Sequence, residues 1–178
     1  MSRLFQISAN EATGVTAELF TAIKKAAGRV PNAYATVGTH SPAVLGAALS
    51  NDAVLAKSSL DKADVEAIKL AVSGLVDCEY CAAAHTVVGK MVGLTQAQTE
   101  QIRAGEATGN VKRDALVRFV RQVADSRGTV DARVLDDVRE AGYSEAQVID
   151  TLFAMSVINF TNLVNRVNDT TLDFPALA

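Results

Sequence analysis

Apolar residues recur along this chain at intervals of three and four, the spacing that stacks side chains on one face of an α-helix. Sustained polar/apolar alternation and Asn-Gly or Asp-Gly hairpin signals, the marks of strands, are both missing. The chain therefore reads as all-α. Val15, Leu19, Ile23 and Ala26 make the stripe of a first helix that Gly28 closes, and Val30-Pro31-Asn32 turns the chain into a short second one. Ser41 offers an N-cap and Pro42 a proline at the first helical position, predicting a helix from Pro42 to about Ala56. Val65, Ile68, Val72 and Val76 lie at helical spacing on the segment 64–76, which also carries Glu66. The next helix is expected to begin at or near Asp77, a good N-cap, and to run through Cys78, Cys81, His85 and Val88 to Gly93.

Two later stretches repeat one device. Gly93-Leu94-Thr95-Gln96-Ala97-Gln98 and Gly142-Tyr143-Ser144-Glu145-Ala146-Gln147 each set a terminating glycine before an apolar staple residue and a Thr/Ser-x-x-Gln capping box. Helices at roughly 112–126, 131–141 and 144–165 complete the reading, and no linker is long enough to divide it. The expectation is one domain over 1–178: a helical bundle with a CxxC at the N-terminal end of a central helix, a core at about 30–95, C-terminal helices at about 96–168 and a tail at 169–178. The tail lacks a helical pattern; either it frays, or Phe174 and Leu177 dock on a neighbouring subunit.

Composition narrows the function. At 178 residues the chain can bury a real core. Its 20 acidic residues against 17 basic ones, with no Lys/Arg run interleaved with aromatics, argue against nucleic acid as a partner. Charges interrupt the apolar stretches well before the ~20 residues of a membrane span, and the first ten residues hold no apolar signal core, so a cytoplasmic protein with no membrane partner is expected. Two cysteines without an export signal point to redox or metal chemistry over a disulfide framework.

Those cysteines, Cys78 and Cys81, stand with His85 at i, i+3 and i+7, on one helix face. A helix N-terminus and an imidazole both favour a thiolate, which makes Cys81 the better placed sulfur for attack and Cys78 a resolving thiol. Glu66 precedes Cys78 by twelve residues, roughly 18 Å along a straight helix. A chain reversal at 74–77 would instead bring Glu66 level with His85 and create a Glu66–His85–Cys81 relay with the logic of a catalytic triad. Plainer readings stand beside this one. The cysteines can be small core residues, Glu66 a solvated helix residue, His40 a loop or capping residue and Glu79 a partner of the helix dipole. Tyr80 either donates into the site or packs, and Asn159, Asn162 and Asn165, at i+3 spacing on an apolar helix, either satisfy buried backbone or meet a subunit; no chemistry is assigned to them.

Glu, eleven residues, then Cys-x-x-Cys-x-x-x-His resembles the pattern of alkylhydroperoxidase D-like proteins of the carboxymuconolactone decarboxylase superfamily, which Glu66, Cys78, Cys81 and His85 match in type and spacing. The stretch from Val30-Pro31-Asn32 through Ser41-Pro42 to Gly93-Leu94-Thr95 is similar to the family's core. The resemblance implies an all-α homo-oligomer, commonly a trimer or hexamer, running a cofactor-free thiol peroxidase cycle. In it Cys81 attacks a hydroperoxide and becomes a sulfenic acid, Cys78 condenses with it to a disulfide, and His85 with Glu66 moves the protons. An external dithiol, of lipoyl type in the best-known members, resets the pair. Tyr80 departs from those members that carry His at this position, and tyrosine is a poor proton shuttle near neutral pH. Three other functions compete: the decarboxylase chemistry that names the superfamily, a zinc site built from the two Cys, His85 and Glu66, and a non-enzymatic redox-sensing module whose disulfide changes assembly.

Overall fold

The structure is a computed structural model that describes residues 2–177, and among these it contains nine α-helices and no strand. They run as α1 (Gly14–Ala27), α2 (Asn32–His40), α3 (Pro42–Leu55), α4 (Lys62–Leu75), α5 (Glu79–Met91), α6 (Gln96–Ala104), α7 (Val111–Asp125), α8 (Ala132–Glu140) and α9 (Glu145–Asn168). At the centre stands α4, packed against α5, α6, α7 and α9. Every residue from Ala63 to Ser73 is buried, so this helix has no solvent face, and its apolar side chains feed the main core on all sides. A smaller core gathers Phe20, Ile23, Ala35 and Leu45 where α1, α2 and α3 meet.

A helix buried all round must pair each charge it carries. Asp64 accepts hydrogen bonds from Arg113 Nε and Tyr143 Oη, each at 2.8 Å. Glu66 and Lys69 are paired as well, and both belong to the site. The pairing overturns the plainer reading of Glu66 as a solvated residue, since it is 5% exposed.

Both glycine-led devices exist as read: Gly93 and Gly142 take positive φ, Leu94 and Tyr143 are buried behind them, and Thr95 and Ser144 close full capping boxes with Gln98 and Gln147. The turn between α4 and α5 is a third instance of the same helix ending. Asp77 N–H donates to the Gly74 carbonyl and Cys78 N–H to the Ser73 carbonyl, with Asp77 at φ 50 in the position glycine holds elsewhere. This corrects the expected start of α5. Asp77 is the left-handed turn residue, Cys78 is the N-cap and makes no side-chain cap bond, and the helix begins at Glu79.

Two other expectations change. α1 turns Thr16, Phe20 and Ile23 inward, while Val15 and Ala26 face solvent, because the large Phe20 ring sets the buried face. The tail does not fray but packs on its own chain: Asp173 pairs with Arg29 and accepts from Asn32 N–H at 3.1 Å and from Tyr80 Oη at 2.7 Å. Phe174 sets its ring edge-on to Tyr80, 5.5 Å between centroids, with the Arg29 guanidinium above it. By length and composition α9 is the one helix among the described residues that could cross a membrane; here its inner face lies on α4 and carries buried Asn162, Asn165 and Asn168.

Candidate functional site

The turn at Asp77 sends α5 back along α4, and the antiparallel pair brings Glu66 level with His85. His85 Nδ1 lies 2.7 Å from Glu66 Oε2, so the ring is held by a carboxylate with 7% of its side chain exposed. Glu66 is itself bracketed by Lys69 at 3.6 Å, and Lys69 lies 3.4 Å from Asp52, which accepts from Tyr34 Oη at 2.9 Å. Burial works against the Glu66 carboxylate, but His85 and Lys69 outweigh it and hold its pKa below the usual value. Burial and Asp52 push the Tyr34 hydroxyl upward, which keeps it a neutral donor.

This chain of charges borders a cavity of about 620 Å³, walled by Val44, Leu55, Val65, Val88, Ile158 and Phe160, with Tyr34, Asp52, Glu66, Lys69 and His85 among its polar groups. The lining suits an apolar organic molecule touching a few polar groups.

The cysteines are free thiols, both buried, at the start of α5. Their environments differ. Cys78 lines a second, polar cavity of about 440 Å³ with Asp77, Glu79, Arg166 and Thr171. The Cys81 thiol beside it, opposed by burial and helped by the Cys81 N–H and the Arg166 guanidinium, lowers the Cys78 pKa. Cys81 moves the other way: Cys78 and burial push its thiol up, against contacts from Asn165 and Thr161. The sequence favoured Cys81 as the anion, but the helix terminus and Arg166 act on Cys78, which sits at the N-cap with the first-turn N–H groups around its sulfur.

The Tyr80 hydroxyl finds its partners elsewhere than at the sulfurs. It donates to Asp173, accepts from Ala33 N–H at 3.2 Å, and is driven upward in pKa mainly by burial, so here it is a structural tie. His40 ends α2 and holds the Phe5 carbonyl at 2.7 Å. Sequence reasoning assigned no chemistry to Asn165, whose Nδ2 donates to Cys81 Sγ at 3.2 Å. Its only sequence signal is the row of asparagines on an apolar helix. Among the described residues no three His, Cys, Asp or Glu side chains converge to hold a metal ion, so the zinc reading has no ligand set.

Residues 44–113 match the carboxymuconolactone decarboxylase family, and Glu66, Cys78, Cys81 and His85 all fall inside that segment. That segment is similar to the family over less than half of the chain. The fold is that of alkylhydroperoxidase D-like structures. The AhpD core structure of a peroxidase-related protein from Ralstonia eutropha superposes with a TM-score of 0.87 at 19% identity, covering 97% of this chain and 92% of that one. A peroxidase-related protein from Silicibacter superposes at 0.78 with 19% identity over 96% of this chain and 94% of its own. A cysteine-to-alanine variant of the debrominase Bmp8, in complex with 2,3,4-tribromopyrrole, gives 0.81 at 16% identity over 97% of this chain and 92% of that one. No curated protein matches the sequence significantly.

Proposed function

We propose that this protein is a CxxC-dependent hydroperoxide reductase. The observation that carries the reading is the 2.7 Å Glu66–His85 pair one helical turn from a free, closely coupled dithiol. Glu66 orients the imidazole, and His85 removes the proton that Cys81 holds in the resting state. The Cys81 sulfur then attacks the outer oxygen of a hydroperoxide; the O–O bond breaks, an alcohol leaves with the proton from His85, and Cys81 becomes a sulfenic acid. Cys78, already biased towards thiolate, attacks that sulfur. The S–S bond forms, the S–O bond breaks, and the departing hydroxide takes up the proton that Cys78 gave up and leaves as water. An external dithiol restores the pair, and the polar cavity at Cys78 is where its thiolate meets the disulfide. The protein is further proposed to work as a homo-oligomer.

The test is a thiol count with intact mass on reduced protein given one equivalent of an organic hydroperoxide. Both thiols are expected to disappear with a two-hydrogen loss of mass, and Cys81→Ser is expected to abolish this. Two surviving thiols would sink the reading. A trapped sulfenic acid on Cys78, formed in Cys81→Ser at the wild-type rate, would reverse the roles of the sulfurs.

The likeness to a debrominase supports a second reading for the same dithiol. Two thiols can reduce a carbon–bromine bond to carbon–hydrogen, releasing bromide and forming the same disulfide, and the apolar cavity bordered by His85 has room for a halogenated heteroaromatic. Bromide release from a brominated pyrrole, without response to hydroperoxide, would select it.

A further inference from the structure

Four asparagines, Asn159, Asn162, Asn165 and Asn168, recur at i+3 along α9, and the fold treats them differently. Asn159 faces solvent, whereas Asn162 and Asn165 are 2% and 4% exposed, beneath the start of α5. Asn162 Oδ1 accepts from Ser73 Oγ at 3.1 Å, and the Ser73 carbonyl receives the Cys78 N–H at 3.0 Å, so this amide braces the turn that sets the first cysteine. Asn165 reaches the second: its Nδ2 donates to Cys81 Sγ. It also borders the polar cavity that Cys78 lines, so one amide serves both halves of the redox pair.

The other half of the Asn165 amide is unexplained by packing. Its Oδ1 is buried with no hydrogen-bond partner. Buried polar atoms in folded proteins are nearly always paired, and an acceptor left empty beside a reactive sulfur needs a reason. The resting thiol offers this oxygen only a weak S–H donor, which it does not engage here, whereas a sulfenic acid offers a strong one, because oxidation puts a hydroxyl on the sulfur that Asn165 already touches. An amide N–H bonds a thiolate more strongly than a thiol, so the same contact favours the attacking form.

We propose that Asn165 is a catalytic residue whose N–H holds the Cys81 sulfur as an anion during attack and whose Oδ1 then accepts the hydroxyl hydrogen of the Cys81 sulfenic acid. This rests on the hydroperoxide reading for its second half only. The donor half belongs to Cys81 whatever the oxidant.

The experiment uses the full chain in a Cys78→Ser background, where Cys81 is the sole thiol. Thiolate ultraviolet absorbance is followed against pH, with and without Asn165→Ala and the isosteric Asn165→Asp, which lacks the N–H donor. Both are expected to move the thiolate midpoint to higher pH, and Asn165→Gln, which keeps the amide, to restore part of the shift. Sulfenic acid formation with an organic hydroperoxide is expected to slow about tenfold or more at neutral pH, the scale of losing one hydrogen bond to a charged group. Titration curves that coincide with the parent in folded Asn165→Ala and Asn165→Asp proteins would overturn the proposal. If no protein in the series reacts with hydroperoxide, the peroxidase reading and the sulfenic half of the proposal fall, while the titration still decides the donor role.

Discussion

Tyr80 donates its phenolic hydrogen to Asp173 at 2.7 Å, joining the residue between the two cysteines to a carboxylate 93 positions later in the chain. The bond fixes the first turn of α5 from outside, because the same carboxylate also holds Arg29 and the N–H of Asn32 at the start of α2. Replacing Asp173 with Ala strands a buried hydroxyl and a guanidinium together. A loss of about 1–3 kcal/mol is expected, read as a melting temperature lower by about 3–10 °C. A bulky disulfide reagent should also reach Cys78 faster in the variant, since Leu172 and Thr171 wall its cavity. Unchanged melting and unchanged labelling would mean that the strap is passive.

Glu66 gives the fold a pH signature of known sign. Its folded pKa lies below the unfolded value of about 4.3, so its stabilising share is complete above that pH and is lost as pH falls through the folded value. Urea unfolding followed from pH 7 to pH 3 should show stability declining on the acid side, with a shallower decline in Glu66→Gln. The same variant is expected to lower peroxide turnover by about 10²-fold, because an amide orients the imidazole but cannot stabilise its protonated form. An acid limb of equal slope in both proteins would remove Glu66 from the account.

The two sulfurs should be separable by pH. Cys78, lowered by its neighbour, first-turn N–H groups and Arg166, is expected to be the first alkylated, with a midpoint below the ordinary thiol value of about 8.5. Arg166→Gln should move that midpoint upward. Peptide mapping after a brief pulse of iodoacetamide distinguishes the sites, and equal labelling of both at neutral pH would contradict the asymmetry.

The reversal that creates the site is tightly packed on one side and strained on the other. A methyl group added at Gly74 would collide with the Arg103 carbonyl on α6, so Gly74→Ala is expected to cost about 1–3 kcal/mol. Asp77 sits at φ 50, where glycine is unstrained, so Asp77→Gly should be neutral or stabilising by up to about 1 kcal/mol. Chemical denaturation midpoints measure both, and opposite signs would refute the packing argument.

Local rules carried the sequence reading far. Helix period located the helices, capping boxes fixed the starts of α6 and α9, and the reversal needed to bring Glu66 to His85 followed from the short span between them. What escaped was tertiary. Val15 and Phe20 both fit a helical stripe, and only packing against α2 and α3 selects the ring. A tail without period looked free because its anchors, Arg29 and Tyr80, lie far away in sequence. Asn165 was visible as one of a polar row on an apolar helix, but the sulfur it meets lies 84 residues earlier and no local pattern joins them.

Residues 2–3 and 168–172 are stitched together along the rim of the polar cavity. Ser2 bonds Thr171, the Arg3 N–H bonds the Asn168 carbonyl, and Thr170 to Leu172 face the space that Cys78 lines. Cargo tethered beyond this seam is therefore delivered beside the thiol. A dithiol carrier fused there through a short flexible linker would meet the proposed disulfide at about a millimolar effective concentration, turning its reduction from a collision between two proteins into an event within one.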